Sequence, residues 1–245
     1  MKIAFCTYIS DCYFHSIGAA KLLASLRYFH PNIPIICYGD TAIKEEGMDF
    51  GLLHPFMINR VMEQGYDAVI YFDADSIVTG SLDELLLALE NSYDIICVRN
   101  NNDQDKAGMD EPIGQEGAGT EHYVNAGLIA VKNKNFLKEW MEDNKKYGAW
   151  LPFKEQTVLN TIKGKYKSLI IDNKDTNVYY GVSCLSGTES HWDSWKEIHV
   201  MNGDLMLNYK KIKVLHHAGG KKEDKLGFYM FNDETRKRLI EITGL

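Results

Sequence analysis

The sequence predicts a single α/β domain with a central, mostly parallel mixed sheet flanked by helices. Short apolar runs typical of strands alternate with helix-like segments through the first hundred residues, and this order requires crossovers between parallel strands. The run 68–72 is five consecutive apolar residues between Asp67 and Asp73, which is typical of a central strand covered on both faces. With 245 residues, of which 45% are apolar, the chain is long enough to bury one sizeable core.

Strands and helices alternate through the first half of the predicted fold. The first helix ends at His30-Pro31, because a proline disfavours helical backbone in the residue before it. Ser81 is predicted to begin a later helix with a capping box, since Glu84 stands three residues further on. The predicted strands are 2–6, 33–38, 68–72 and 94–98, and the predicted helices are 16–29, 56–64 and the one from Ser81.

The second half is predicted to be less regular. Residues 99–121 have no apolar period and are rich in Asn, Asp and Gly, which is typical of a flexible functional loop. Asn202-Gly203 between two apolar runs is the strongest hairpin signal in the chain. Strands are further predicted at 123–131, 168–171 and 213–217, and helices at 136–146, 155–162 and 232–243.

Charge and cysteine usage exclude several classes of protein. The 34 acidic and 27 basic residues give a net charge of −7, which offers no general attraction to nucleic acid. From Lys196 onward 10 basic residues stand against 7 acidic ones, so this tail is the part that would attract phosphate.

The five cysteines form no C-x-x-C pair, which disfavours a disulfide framework or a zinc site. We expect a cytoplasmic protein without a signal peptide or transmembrane segment. The sequence decides neither its peripheral docking to a membrane nor its oligomeric state.

The sharpest chemical signal is Asp73-Ala74-Asp75, directly after the apolar strand 68–72. Carboxylates at the carboxyl end of a strand can turn toward the crevice where open α/β sheets bind ligands. Oxygen ligands of this kind suit Mg²⁺ or Mn²⁺, which complete their coordination with substrate phosphates. The pattern indicates a site for a metal and a diphosphate; the alternative is a solvated acidic turn.

Two further segments carry groups that fit such a site. Near the C-terminus, His216 could supply a metal ligand, Gly219 would let the backbone approach phosphate, and Lys222 would offset its charge. His217 with Lys221 gives a similar arrangement and stays an alternative.

Polar residues also interrupt the apolar pattern in the middle of the chain. Asn125 lies inside a predicted strand, where its amide could bond sugar hydroxyls or mark a bulge. Glu155 and Gln156 offer a carboxylate and an amide at the start of a helix, where an acidic first turn is also favoured by the helix dipole.

Taken in order, these motifs resemble glycosyltransferase family 8, which includes glycogenin and bacterial lipooligosaccharide galactosyltransferases. The similarity extends from residue 2 to about residue 222, and the ordered set is more specific than any motif in it. Its members are Asp73-Ala74-Asp75, residues 81–85, Asn125-Ala126-Gly127, residues 155–160 and His216-x-x-Gly219-x-x-Lys222. An Asp is usual in the family where Glu155 stands.

The resemblance implies a Rossmann-like A-type glycosyltransferase fold and a retaining transfer of a hexose, with Mn²⁺ or Mg²⁺ as cofactor. The donor would be a nucleoside-diphosphate sugar, commonly UDP-linked, and the acceptor a glycan, a lipid-linked molecule or a protein. The single domain would divide into a nucleotide-binding half (1–98), the flexible loop (99–121), a sugar and acceptor half (122–231) and a C-terminal helix (232–245).

The family also implies a role for individual residues. Asp73, Asp75 and His216 would be metal ligands, with Ala74 between the two carboxylates in the donor site and Gly219 and Lys222 at the diphosphate. The nucleobase would contact Thr7, Tyr8 and Asp11 at the end of the first strand. The donor sugar or the reaction centre would face Asn125, Glu155 and Gln156.

Two other functions compete with this interpretation. Asp73 and Asp75 also resemble the first motif of haloacid-dehalogenase-type phosphohydrolases, with Asp172 and Asp175 as a late acidic pair. That motif normally follows the first strand of its chain, however, whereas here about seventy residues precede it. The third possibility is a non-catalytic nucleotide-sugar-binding module.

Overall fold

The fold is described by a computed structural model for most of the chain. The described residues are 1–11, 13–41, 53–99, 123–148, 151, 154–173, 176–180, 182–183, 197–216, 228 and 231–245. In chain order the elements are β1 (Ile3–Ile9), α1 (Tyr13–Phe29), β2 (Ile35–Gly39), α2 (Leu53–Glu63), β3 (Ala68–Phe72), β4 (Ser76–Val78), α3 (Asp83–Asn91), β5 (Ile95–Arg99), β6 (Val124–Val131), α4 (Lys134–Tyr147), α5 (Lys154–Ile162), β7 (Ser168–Ile171), β8 (Val178–Tyr179), β9 (Val182–Ser183), β10 (His199–Met201), β11 (Asp204–Leu207), β12 (Lys210–Ile212), β13 (Val214–His216) and α6 (Asp233–Thr243).

The central sheet has six strands in the order β2-β1-β3-β6-β5-β7. β1 runs parallel to β2 and β3, and β5 runs parallel to β7, whereas β6 is antiparallel to both of its neighbours. The predicted mixed sheet flanked by helices is therefore confirmed.

All five residues of β3 are buried, as expected for a central strand covered on both faces. Alternate side chains point to opposite faces of a strand, so Val69 and Tyr71 belong to one core and Ile70 and Phe72 to another. The first core includes side chains from α2, α4 and α5, and the second includes side chains from α1 and α3. β3 is therefore packed between two layers of helices, and the Asp73-Ala74-Asp75 turn follows it directly.

The remaining strands form two smaller sheets. Four strands pair in the order β10-β11-β12-β8, and three in the order β4-β13-β9. β13 is antiparallel to β4, with His216 opposite Ser76. Because β4 follows directly after the Asp73-Ala74-Asp75 turn, this pairing brings residues far apart in sequence to one place.

The predicted hairpin at Asn202-Gly203 is confirmed. β10 and β11 pair antiparallel, with Met201 opposite Asp204. The φ angles of Asn202 and Gly203 are +54° and +82°, as a two-residue turn with positive φ at both positions requires.

The predicted capping box at Ser81 and Glu84 is wrong. α3 begins at Asp83, its cap position is Leu82, and no side chain caps it there. Instead, His30 Nε2 accepts a hydrogen bond of 2.9 Å from the Leu82 backbone N–H. The Ser81 hydroxyl accepts from the Asp83 N–H at 3.1 Å, so one local and one tertiary contact stand where the capping box was expected.

Element bounds also differ from the predicted ones. α1 and α2 each begin three residues earlier than expected, and β1 continues to Ile9, so that it includes Thr7 and Tyr8. Of the predicted loop 99–121, only Arg99, the last residue of β5, is among the described residues.

Candidate metal centre

The Asp73-Ala74-Asp75 segment forms a tight turn between β3 and β4. The Asp73 backbone N–H donates to the Gly127 carbonyl on β6 at 2.8 Å, and the Ser76 N–H donates to the Asp73 carbonyl at 3.0 Å. On the other side, a Cβ atom on Gly18 of α1 would lie 2.8 Å from the Ala74 carbonyl oxygen. The turn is therefore held between α1 and β6.

His216 completes a group of three ligand-type side chains. Its Nε2 lies 3.3 Å from Asp73 Oδ2 and 3.3 Å from Asp75 Oδ1, and the imidazole is buried. All three ligand atoms lie within 4.8 Å of one another. The predicted ligands thus converge, because β13 pairs with the strand that leaves the acidic turn.

The geometry of this cluster fits a divalent cation. Two neighbouring ligands at about 2.1 Å from an octahedral ion stand about 3 Å apart, close to the two 3.3 Å contacts of His216. Two carboxylates and an imidazole also form a donor set that first-row divalent metals accept. Asp73, Asp75 and His216 could therefore hold such an ion, with further positions left for substrate or water.

A second histidine, which the sequence analysis missed, lies on the other side of Asp73. His54, in the first turn of α2, places Nε2 3.3 Å from Asp73 Oδ1 and Nδ1 2.9 Å from Glu155 Oε1. The contact with Glu155 is an ion pair rather than an aligned hydrogen bond, since the Nδ1 atom has no partner in hydrogen-bond geometry. No local motif marks His54; its role depends on how α2 packs against β3.

Tyr71 is a second missed neighbour of the cluster. Its hydroxyl donates to Asp73 Oδ1 at 3.1 Å, and its ring packs edge-to-face against His54 with the ring centroids 4.4 Å apart. Residues two apart on a strand share a face, so the position of Tyr71 before Asp73 was a signal that could have found it.

Burial and charge act against each other on the ionisable groups of this cluster. Burial alone lowers the pKa of His216, but its hydrogen bonds to Asp73 and Asp75 and their charges raise that pKa to about 10. Burial likewise lowers the pKa of His54, and Glu155 and Asp73 raise it to about 10. For Asp73, burial raises the pKa, yet both histidines hold it well below its ordinary value. Without a cation, two protonated imidazoles therefore balance part of the negative charge of Asp73, Asp75 and Glu155.

The three residues predicted to face the donor sugar have different surroundings. Glu155 meets His54, as described above. Gln156 is engaged within the protein, because its Oε1 accepts from the Ala126 N–H at 3.0 Å and its Nε2 donates to the Tyr123 hydroxyl at 3.1 Å. Asn125 Oδ1 accepts from the Gly127 N–H at 2.7 Å, beside the candidate metal ligands.

The residues predicted to meet the nucleobase lie on or just after β1. Thr7 is buried, and its backbone is opposite Phe72, the residue before Asp73. The Tyr8 hydroxyl donates to Asp40, and burial and this hydrogen bond both raise the pKa of Tyr8. The Asp11 N–H donates to the same Asp40 carboxylate at 3.1 Å. Asp40, which the sequence analysis did not select, thus links Tyr8 and Asp11.

Other predicted site residues lie outside the described part of the chain. These are Gly219, Lys222 and the alternatives His217 and Lys221, together with Asp175 of the late acidic pair. The other member of that pair, Asp172, forms an ion pair with Arg99. No helix among the described residues is long and apolar enough to cross a membrane.

Comparison with known proteins identifies the fold. No protein-family model and no curated protein matches the sequence. By structure, the chain is similar to the WbbM bifunctional glycosyltransferase, with a TM-score of 0.62 and 16% identity over 98% of this chain and 49% of WbbM. The chain thus spans about half the length of that protein.

Two further glycosyltransferases show the same likeness. The galactosyltransferase LgtC, solved with donor and acceptor sugar analogues, has a TM-score of 0.54 and 15% identity over 98% of this chain and 95% of LgtC. GlyE of Streptococcus pneumoniae TIGR4 has a TM-score of 0.59 and 15% identity over the whole of this chain and 61% of GlyE. The predicted A-type glycosyltransferase fold is therefore confirmed.

Proposed function

We propose that this protein is a metal-dependent glycosyltransferase that moves a hexose from a nucleoside-diphosphate sugar, UDP-linked, to an acceptor with retention of configuration. The observation that carries the proposal is the convergence of Asp73, Asp75 and His216 at the carboxyl end of β3, within a fold shared with glycosyltransferases. Ligands of open α/β sheets bind at this edge.

The proposed chemistry needs charge neutralisation more than a strong nucleophile. A Mn²⁺ or Mg²⁺ ion held by Asp73, Asp75 and His216 would supply positive charge to the departing nucleoside diphosphate. Gly219 and Lys222 are proposed to act on the same diphosphate, and Thr7, Tyr8 and Asp11 to contact the nucleobase. The halves 1–98 and 122–231 would then bind the nucleotide and the sugars respectively.

The surroundings of the three sugar-facing candidates suggest different roles for them. Glu155 lies one imidazole ring away from Asp73, so it is the carboxylate best placed to meet the donor sugar. Asn125 lies beside the cluster and could bond a sugar hydroxyl with its amide. Because the amide oxygen and the amide nitrogen of Gln156 are engaged by Ala126 and Tyr123, we propose that Gln156 supports the strand that carries Asn125.

The phosphohydrolase alternative is not favoured by the surroundings of Asp73. A nucleophilic aspartate needs one oxygen directed at a phosphoryl group, whereas Asp73 Oδ1 meets Tyr71 and His54 and Oδ2 faces His216. A non-catalytic module could use the same three ligands to bind a nucleotide-sugar, and hydrolysis of the donor in the test below would exclude it. We further propose that the enzyme acts in the cytoplasm, on a glycan, lipid-linked or protein acceptor.

The test is a screen of nucleotide-sugars with Mn²⁺ in the absence of acceptor, with release of the nucleoside diphosphate as the readout. We expect slow hydrolysis of one donor, its loss with EDTA, and a decrease of about 100-fold or more in Asp73→Asn and Asp75→Asn. Asp233→Asn, in the exposed first turn of α6, is the matched control and should retain the wild-type rate. Full activity with EDTA or in both site variants would overturn the proposal.

A further inference from the structure

We infer that His54 is a positioning residue that fixes Asp73 for coordination through one oxygen and links Glu155 to the same point. This inference rests on the proposed function and assigns a role to a histidine that no motif in the sequence marks. Two observations carry the inference. The two oxygens of the Asp73 carboxylate contact different partners, and the imidazole of His54 contacts both Asp73 and Glu155.

The two oxygens of Asp73 have separate surroundings. Oδ1 accepts a hydrogen bond from the Tyr71 hydroxyl at 3.1 Å and meets His54 Nε2 at 3.3 Å. Oδ2 faces His216 Nε2 at 3.3 Å, on the side of the candidate metal ligands. Turning the carboxylate to offer both oxygens to a cation would break both contacts of Oδ1. Partners of this kind orient metal ligands, and their loss typically weakens metal binding 10- to 100-fold.

The orientation of the His54 ring is set by packing as well as by its polar contacts. Its neighbours Leu53 and Pro55 are buried at the start of α2, and its own side chain is 16% exposed. The Tyr71 ring packs against it at 4.4 Å between centroids. The imidazole therefore has little freedom to leave Asp73.

The same ring holds the carboxylate of Glu155. Its Nδ1 lies 2.9 Å from Glu155 Oε1, and the Glu155 side chain is 14% exposed. The backbone of Glu155 is held separately, because Trp140 Nε1 donates to its carbonyl at 2.9 Å. His54 thus sets the separation between Asp73 and the carboxylate proposed to meet the donor sugar, which requires both at defined positions.

Two amide substitutions can separate the two contacts of His54. The amide nitrogen of a glutamine occupies about the position of Nε2, and that of an asparagine about the position of Nδ1. His54→Gln therefore keeps a donor for Asp73 and loses the contact with Glu155. His54→Asn loses the contact with Asp73 and places a neutral amide beside Glu155, and His54→Ala loses both contacts.

The test measures Mn²⁺ binding by electron paramagnetic resonance without donor, and kcat and KM for donor hydrolysis with saturating Mn²⁺. We expect His54→Ala and His54→Asn to bind Mn²⁺ about 10- to 100-fold more weakly, and His54→Gln to bind it within about threefold of wild type. In His54→Gln, kcat should still fall at least tenfold while KM changes little, since Glu155 is no longer held. His199→Gln, on the β10–β11 hairpin, is the matched control and should change none of these values.

The outcomes distinguish this inference from the proposed function. Wild-type protein that binds no Mn²⁺ and hydrolyses no donor overturns both. Wild-type protein that does both, together with wild-type affinity and kcat in His54→Asn and His54→Gln, overturns the inference alone. If His54→Ala fails to fold, as judged by circular dichroism, the comparison of His54→Gln with His54→Asn still tests the inference.

Discussion

Gly127 lies so close to the Asp73 carboxylate that the site has no room for a larger residue. A Cβ atom built on Gly127 would stand 2.5 Å from Asp73 Oδ2 and 2.4 Å from His216 Cε1. The close approach arises because β6 runs beside β3, with the Gly127 carbonyl accepting from the Asp73 N–H at 2.8 Å. The glycine of the Asn125-Ala126-Gly127 motif is therefore required by the positions of the candidate metal ligands Asp73 and His216.

We predict that Gly127→Ala severely weakens binding of a divalent cation. The methyl group must displace Asp73, His216 or both, because each would otherwise lie well inside van der Waals contact. We expect at least a tenfold loss of Mn²⁺ affinity, measured by calorimetry. Gly164→Ala is the matched control, since a Cβ there meets nothing within 4 Å. Equal Mn²⁺ affinity in the two variants would contradict the prediction.

We predict that Mn²⁺ affinity rises with pH. Burial opposes protonation of His216, but Asp73 and Asp75 raise its pKa to about 10, and an imidazole must be neutral at the bound nitrogen to ligate a metal. Between pH 6 and 8, cation binding should release about one proton from His216, and the affinity should increase about tenfold per pH unit. Calorimetry in buffers of different ionisation enthalpy measures both quantities. An affinity independent of pH would refute this account.

Without a cation, the stability of the protein should change with pH in the opposite direction. A histidine whose pKa is higher in the folded than in the unfolded state stabilises the fold fully below its unfolded value of about 6.5, and this contribution is lost as the pH rises through the folded value. His216 and His54 both meet this condition, with folded values of about 10. The melting temperature of the metal-free protein should therefore fall from pH 7 to pH 10, and saturating Mn²⁺ should reduce that fall.

We predict that Asn160→Ala destabilises the protein by about 2 to 4 kcal/mol. The buried Asn160 side chain accepts from the Val124 N–H at 2.8 Å and donates to the Val124 carbonyl at 2.9 Å, so its loss leaves two backbone groups unpaired. Chemical denaturation measures the difference. Asn91→Ala, at an exposed residue of α3, should change stability by less than about 0.5 kcal/mol. A similar small change in Asn160→Ala would show that Val124 finds other partners.

Much of the fold was predictable because its signals are local. The five apolar residues of β3 indicated a strand buried on both faces, and Asn202-Gly203 indicated a hairpin with positive φ angles. Helix ends were less predictable. At the start of α3 the Leu82 N–H donates to His30, fifty-two residues earlier in the chain, and no local capping rule includes such a partner.

The sequence by itself determined which residue types are available for the candidate site. Asp73 and Asp75 had to lie at the end of β3 because they follow it directly, and this restricts them to the edge where α/β sheets bind ligands. His216 was selected by the chemistry of its segment and by the resemblance, and the pairing of β13 with β4 places it beside the two aspartates.

Only the tertiary structure decided how these side chains are held. His54 and Tyr71 reach Asp73 because α2 packs on the face of β3 from which Tyr71 projects, and Gly127 reaches it because β6 is antiparallel to β3. Contacts between distant segments depend on packing and strand order, which no short window of sequence contains. The sequence therefore determined the chemistry of the candidate metal ligands, while packing decided the orientation of the Asp73 carboxylate.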